Sequence, residues 1–326
     1  MLRKTLLATF LVWPLSGQAY ALTADKVRDD MVTKGVTSWR VVSPDSSKII
    51  PKPRPTGLIL EEELTPMAQP RWRSADRIGR SFGDGTEEAR TDLPVRFDWR
   101  DKDGFSYLAP MLSEQGDCGA CVAFAAASTI EAQYTIACDS WQSPFVLSRQ
   151  HLFSCGGGDC ASGWKLSQAV DFVVNTGLTD QPCFPYQASN GQNASCEEAC
   201  QDISDRMFED ITYQRPTRGF INIEAIKEAL LEGPLLANMI LFEDLEYYSS
   251  GVYRHVSGRQ LGGHAITLVG WDNDDRAWIA RNSWGPDWGE DGYFRVAWDD
   301  ASLVGRYTWL FDVSHSVAAG ACTKRR

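Results

Sequence analysis

The order of elements along the chain predicts an α+β fold, with a helical half packed on a β half and a groove where the two meet. Two observations carry this reading. Helical periodicity dominates between about residues 119 and 233, and after Pro234 short apolar runs alternate with Gly, Asn and Asp turns. A third sets the scale: 326 residues with 43% apolar and 23% charged composition provide a large buried core in one or two domains. No internal repeat or low-complexity tract interrupts it.

The chain opens on Met1-Leu-Arg-Lys, an apolar run from Leu6 to Leu15, and Ala19-Tyr20-Ala21, a small-residue cleavage pattern. Residues 1–21 therefore read as a cleaved signal peptide. A membrane anchor is the alternative, but ten apolar residues span about 15 Å as helix, against a hydrocarbon core of about 30 Å. No later run is long and apolar enough for stable membrane insertion, so export to an extracellular, periplasmic or lysosome-like compartment is expected.

Residues 22–92 differ in texture. They hold prolines at 51, 53 and 55, an acidic run Glu61 to Glu63, a basic stretch from Arg71 to Arg80, and little helix or strand periodicity. Their 12 basic and 12 acidic residues cancel, so the surplus behind the net charge of −11 lies beyond them. That surplus works against binding a polyanion, and nucleic acid is not an expected partner. A proline-rich segment before a cysteine-bearing domain reads as a removable pro-segment or a flexible linker.

From residue 93 onward the elements follow in order. Ala120 to Tyr134 is rich in helix formers and apolar nearly all round, which predicts a buried helix. Ser148 can cap a short helix through Phe153. Leu166, Ala169, Val170 and Val173 recur at helical spacing before Gly177, and Asn222 and Gly233 bracket a further helix. Strands are expected at 235–242, 264–271, 277–281, 292–298 and 306–313.

All nine cysteines fall between Cys118 and Cys322. This suits an oxidising compartment, and the odd number leaves at least one thiol outside intramolecular pairing. Cys121 opens the buried helix, where unpaired N–H groups and the helix dipole favour a thiolate. A Cys-x-x-Cys pair can equally be a redox dithiol or a metal ligand.

The runs Leu261 to Trp271 and Arg276 to Trp284 flank a turn at 272–275 and read as a hairpin. Symmetry about Asn273 would place Gly270 opposite Arg276 and His264 opposite Asn282. A histidine at a strand start is often structural. Beside an asparagine amide it can instead have its tautomer fixed and face a thiolate, the nucleophile, base and orienter pattern of covalent catalysis. Trp284 would cover that contact from water or simply pack in the core.

Taken together, Gln115-Gly-Asp-Cys-Gly-Ala-Cys121, Gly263-His-Ala265 and Asn282-Ser-Trp-Gly-Pro-Asp-Trp-Gly-Glu-Asp-Gly-Tyr-Phe294 resemble, in order, the three signatures of papain-like cysteine peptidases. The resemblance runs from Leu93 to about Val313. Within the family, Phe97-Asp-Trp-Arg, Pro182-Cys-Phe-Pro-Tyr186 and Tyr247-Tyr-Ser-Ser-Gly-Val-Tyr253 look most like cathepsin C.

The resemblance implies a papain-like fold, with domain 93–326 divided into a helical half at about 93–220, a β half at about 221–313 and a tail at 314–326. It implies Cys121 as nucleophile, His264 as general base and acid, Asn282 as the residue orienting His264, and Gln115 as an oxyanion donor. No cofactor or metal is needed, and the partners are peptide or protein substrates. Gly163, Trp164 and Trp284 would contact substrate or line its site, although Gly163 could be a turn residue only. Pairings Cys118–Cys160, Cys155–Cys196 and Cys183–Cys200 are implied, which leaves Cys121 free. Pairing of Cys138 with Cys322 is a hypothesis.

Val122 stands where the family usually has a large aromatic, and Gly263 where it has Asp or Asn. Asn238 and Gly262 fall near the main specificity pocket. Residues 22–92 are too short to resemble the exclusion domain of cathepsin C, and no histidine lies between His151 and His255 to suit the loop cathepsin B uses as a carboxydipeptidase. An endopeptidase made as a zymogen is therefore expected, with 22–92 lying along the groove as its inhibitor until cut between Arg71 and Asp92. The alternatives are an aminodipeptidase of cathepsin C type and a thiol-disulfide oxidoreductase using Cys118 and Cys121. Asn193-Ala-Ser195 is a glycosylation sequon, meaningful only in a eukaryotic secretory route.

Overall fold

A computed structural model of the chain describes residues 22–42, 55–59, 93–111 and 113–323. The signal peptide read at 1–21 and the cutting window at 71–92 lie outside the described residues.

Helix α2, Cys121–Ala137, runs through the centre and is buried along 15 of its 17 residues. Its small side chains, Ala123, Ala126 and Ala127 among them, let neighbours approach closely, and α3 (Arg149–Gly156) and α4 (Leu166–Thr176) pack around it. Ser148 caps α3 by accepting from His151 N–H, and a left-handed Gly157 ends it. Charge is buried here too: Glu131, fully inside, holds both terminal nitrogens of Arg149 and the backbone N–H of Leu147.

The β half contains α5 (Ile223–Glu232), capped by Asn222, and strands β4 (Leu235–Phe242), β5 (Tyr248–Tyr253), β6 (Gln260–Asp272), β7 (Ala277–Arg281), β8 (Tyr293–Ala297) and β9 (Thr308–Asp312). With three short strands, β1 (Trp39–Val41), β2 (Arg96–Asp98) and β3 (Thr212–Gln214), they form one sheet ordered β1-β5-β8-β7-β6-β4-β9-β3, and β2 adds to β6. Strand β6 is the spine, pairing with β4, β7 and β2. Its residues Ala265 and Thr267 face α2, which joins the two halves. This is the papain-like α+β fold.

The chain ends do not keep to the half in which sequence order puts them. Strand β2 crosses to the β half, where Phe97 stacks on Trp271 with centroids 5.1 Å apart. The tail returns to the helical half: α6 (Ser314–Ala318) sits against α2, Tyr134 donates to Ser316, and a disulfide joins Cys138 to Cys322. The remaining disulfides are Cys118–Cys160, Cys155–Cys196 and Cys183–Cys200.

Residues 22–42 correct the expectation of little regular structure. Ala24–Lys34 forms helix α1, started by Thr23 accepting from Lys26 N–H and stopped by left-handed Gly35. Only Val27 and Met31, four residues apart, are buried, so the apolar stripe is too thin to stand out in the sequence. With Trp39 they dock on the β half core, and burying such side chains contributes about 1.5–3 kcal/mol each. Strand β1 then pairs antiparallel with β5 and covers that sheet edge.

Candidate active site

Cys121 sits at the first turn of α2, whose N-cap, Ala120, offers no side-chain acceptor. The opening N–H groups of the helix are thereby left for the sulfur. Sγ also accepts from Ala265 N–H at 3.4 Å across the junction of the halves. It is the free cysteine among the described residues. Because Cys118 is bonded to Cys160, the Cys118–Cys121 dithiol required by the oxidoreductase reading does not exist.

Burial pushes the Cys121 thiol up to about 12, and the backbone N–H groups of Ala265, Gly57, Val122 and Cys121 itself only partly oppose this. The helix N-terminus alone would favour thiolate. Here desolvation wins, and part of the cover comes from residues 55–59.

His264, on β6, is 1% exposed, and its Nε2 lies 2.8 Å from Asn282 Oδ1. The same oxygen accepts from Ser283 N–H at 2.8 Å, which holds the amide plane. The contact forms, but not in the register expected from a hairpin symmetric about Asn273. The ladder pairs Asp272 with Ala277 and Trp271 with Trp278, then shifts at a bulge between Leu268 and Gly270, so that Thr267 pairs with Arg281. The turn spans four residues, with Arg276 at φ 49°. β7 ends at Arg281, and Asn282 reaches His264 diagonally from beyond the strand, anchored by donating its N–H to Gly292.

Trp284 is buried in the β half core, its ring 5.2 Å from that of His264 and backed by Trp288 at 5.0 Å. In the full-length chain it shields the imidazole.

Gln115 is fully buried. Its Oε1 accepts from Ser283 Oγ at 2.5 Å, and its Nε2 donates to Cys118 O at 2.9 Å and points to Pro55 O at 3.5 Å. Its backbone is tied to Ser283 O and to the Tyr186 hydroxyl. Sequence reasoning missed both of these supports. Ser283 sits within the quoted Asn-Ser-Trp run, whereas Tyr186 ends the quoted Pro182-Cys-Phe-Pro-Tyr186 run, where nothing local tied it to Gln115.

The loop 159–164 forms the opposite wall. Asp159 accepts from the N–H groups of Ala161 and Ser162 and from Ser162 Oγ, while Asn193 bridges Asp159 Oδ2 and Cys160 N–H. Hydrogen bonds from Asn193 and Ser162 hold the Asp159 carboxyl down at about 2. Gly163, at φ 79°, turns its own N–H to Asp159, and the outward pairing falls to Trp164, whose ring is buried in the helical core.

Residues 55–59 pass through this groove. Trp164 N–H donates to Gly57 O at 2.8 Å, Ile59 N–H to Trp164 O at 2.9 Å and Leu58 N–H to Gly263 O at 3.4 Å. The approach is so close that a Cβ on Gly57 would lie 2.4 Å from Gly119 O and 2.7 Å from Cys121 Sγ. Gly262 faces Thr56, and Asn238, buried on β4, spends its Oδ1 on Tyr307 N–H. Asn238 therefore holds the 305–307 turn.

The sequence profile described as papain family cysteine protease matches residues 93–308. The chain is 37% identical over 219 residues to cathepsin B-like CP2 of Giardia intestinalis, covering 65% of this chain and 71% of that protein. It is 31% identical over 235 residues to a gut-specific cysteine proteinase of Caenorhabditis elegans, covering 64% and 70%. Among solved structures, procathepsin B S9 from Trypanosoma congolense superposes with a TM-score of 0.67 at 25% identity, covering 89% of this chain and 97% of that one. The first and last of these are named as cathepsin B-like or procathepsin B, and the nearer resemblance to cathepsin C is not supported.

Proposed function

This chain belongs to the papain family of cysteine proteases, and we propose that Cys121, His264, Asn282 and Gln115 are its working groups, in an exported endopeptidase made as a zymogen. The carrying observation is that Ala265 N–H lies on Cys121 Sγ while its neighbour His264 is held by Asn282 at 2.8 Å, which brings nucleophile, base and orienter to one junction.

With Nε2 committed to Asn282, the imidazole exchanges its proton through Nδ1. His264 takes the Cys121 proton, and sulfur adds to the scissile carbonyl. The oxyanion is met by Gln115 Nε2–H and Cys121 N–H, each such donor being worth about 2.7–4 kcal/mol. His264 then protonates the leaving amine. Water, deprotonated by His264, hydrolyses the thioester and returns the thiol.

The passage of residues 55–59 supports both the zymogen and the endopeptidase readings. Residues 55–59 lie extended along the groove and cross Cys121 at Gly57. The segment is spared because the sulfur meets the N–H of Gly57, while the Gly57 carbonyl turns to Trp164 N–H. Pro55 O takes the Gln115 donor in place of an oxyanion. The matched structure from Trypanosoma congolense is likewise a proform, and it spans 89% of this chain. Four disulfides suit an oxidising compartment, in line with the signal read at 1–21.

The test is to label processed enzyme with an epoxysuccinyl inhibitor, alongside Cys121→Ala, and to assay an amino-blocked and an unblocked fluorogenic peptide. Labelling at Cys121 with turnover of the blocked peptide is expected. Turnover of the unblocked peptide alone would instead indicate an aminodipeptidase, and neither labelling nor turnover would remove the assignment.

A further inference from the structure

Behind the Cys121–His264 junction lies a small cavity between α2, β6 and β7, bordered by Ser128, Thr267, Arg281 and Asn282. Two of its wall groups are donors without an acceptor among the described residues: Arg281 Nη1 and Asn282 Nδ2, on side chains that are 4% and 5% exposed. The catalytic arrangement uses Asn282 only through Oδ1, so its amide nitrogen is unaccounted for.

The surroundings supply charge, and the side-chain acceptors on the cavity wall are neutral hydroxyls, those of Ser128 and Thr267. Glu131 is the buried carboxylate near Arg281, and both of its oxygens are occupied by Arg149. Glu131, Arg149 and Arg281 together leave one uncompensated positive charge inside the protein, where an unpaired ion is costly. Burial accordingly pushes Arg281 below its ordinary value, the Tyr293 hydroxyl opposes this, and Arg149 adds to it. Ala125 O, the nearby carbonyl, already accepts from Thr129 and Thr267. A water placed here would accept from Arg281 and Asn282 and donate to the Ser128 or Thr267 hydroxyl, but it would leave the buried positive charge uncompensated. A guest that only accepts, carries one negative charge and is about the size of a water satisfies both donors and the charge together.

We propose that this cavity is a binding site for a small monovalent anion, a halide such as chloride, held by Arg281 Nη1 and Asn282 Nδ2. Bound there, the ion neutralises the Glu131–Arg149–Arg281 cluster and pins the rear edge of the amide that orients His264. Asn282 is thus held from both sides.

The experiment is thermal unfolding of the full-length chain in sodium chloride and in sodium gluconate at equal ionic strength, a readout independent of peptidase activity. A saturable rise of the midpoint by roughly 2–4 °C with chloride is expected. That response should vanish in Arg281→Gln. It should also vanish in Ser128→Asp, whose covalent carboxylate takes the ion's place and should raise the midpoint in gluconate. A bromide-soaked crystal should show an anomalous peak beside Arg281. Equal wild-type midpoints in the two salts, an undiminished response in Ser128→Asp, or no peak in the cavity would overturn the proposal.

Discussion

At the scale of single residues, the state of Cys121 is a contest between the helix start, which favours thiolate, and desolvation, which raises the thiol to about 12. In the full-length chain the thiol therefore stays protonated near neutrality. Alkylation of Cys121 by iodoacetamide should be slow through pH 9 and become fast near neutrality once residues 22–92 are removed, as followed by mass spectrometry. Equal rates in the two forms would show that the segment does not control the thiol. A folded value above the unfolded one means the folded state holds its proton longer, so full-length stability should decline between about pH 9 and 12. Gly57 makes the same contact testable: Gly57→Val places carbon 2.4 Å from Gly119 O, and uncut protein should gain activity on a blocked peptide several-fold or more. In processed enzyme, Gln115→Ala should lower kcat by about 10²–10³-fold. Ser283→Ala, which frees Gln115 Oε1, should lower it less, with KM little changed. Gln115, Cys121, His264 and Asn282 were legible because each lies in a short, distinctive run. The role of Tyr186 and the environment of Arg281 were not, because both depend on neighbours far away in the chain.

At the scale of elements, the substrate-facing loop 159–164 is shaped by its own turn and by one long-range amide. Asn193 uses both ends of its side chain, donating to Asp159 and accepting from Cys160 N–H, so the sequon places a clamp where a glycan would have to attach. Asn193→Ala should raise KM more than it lowers kcat, read from steady-state kinetics of the processed enzyme. A fall in kcat alone would count against a positioning role. Asp159 has a folded value near 2, so its contribution is full above the ordinary carboxylate range and lost only as pH falls through about 2. The loop should therefore keep its shape in a mildly acidic compartment. The strands at 235–242 and 277–281 were readable to the residue because they are continuous apolar runs. β5 was not read as a strand, since Ser249, Ser250 and Gly251 dilute its pattern and its stability comes from pairing with β1 and β8. The hairpin register was misread for a local reason: a bulge at Val269 and a turn that lies at 273–276, one residue further on than expected, are invisible to symmetry.

At the scale of the whole molecule, the two halves are tied by their exchanged ends. The Cys138–Cys322 bridge closes the longest loop of the four, with a sequence separation of 184, and fastens the tail to α2. Cys322→Ser should cost about 2–5 kcal/mol of stability, seen as a lower unfolding midpoint, while KM stays unchanged because the bridge lies away from the groove. A non-reducing peptide map should recover all four pairs in the wild type. By itself the sequence determined the α+β class, the order of the elements and the identity of the candidate nucleophile, base, orienter and oxyanion donor, because periodicity and short motifs are local properties. Only the tertiary structure decided that residues 55–59 run across Cys121 with a glycine at the closest point, that α1 and β1 dock on the β half, and that Arg281 has no carboxylate partner among the described residues. Each of these depends on which surfaces exclude water from one another, and that is settled when distant segments pack together.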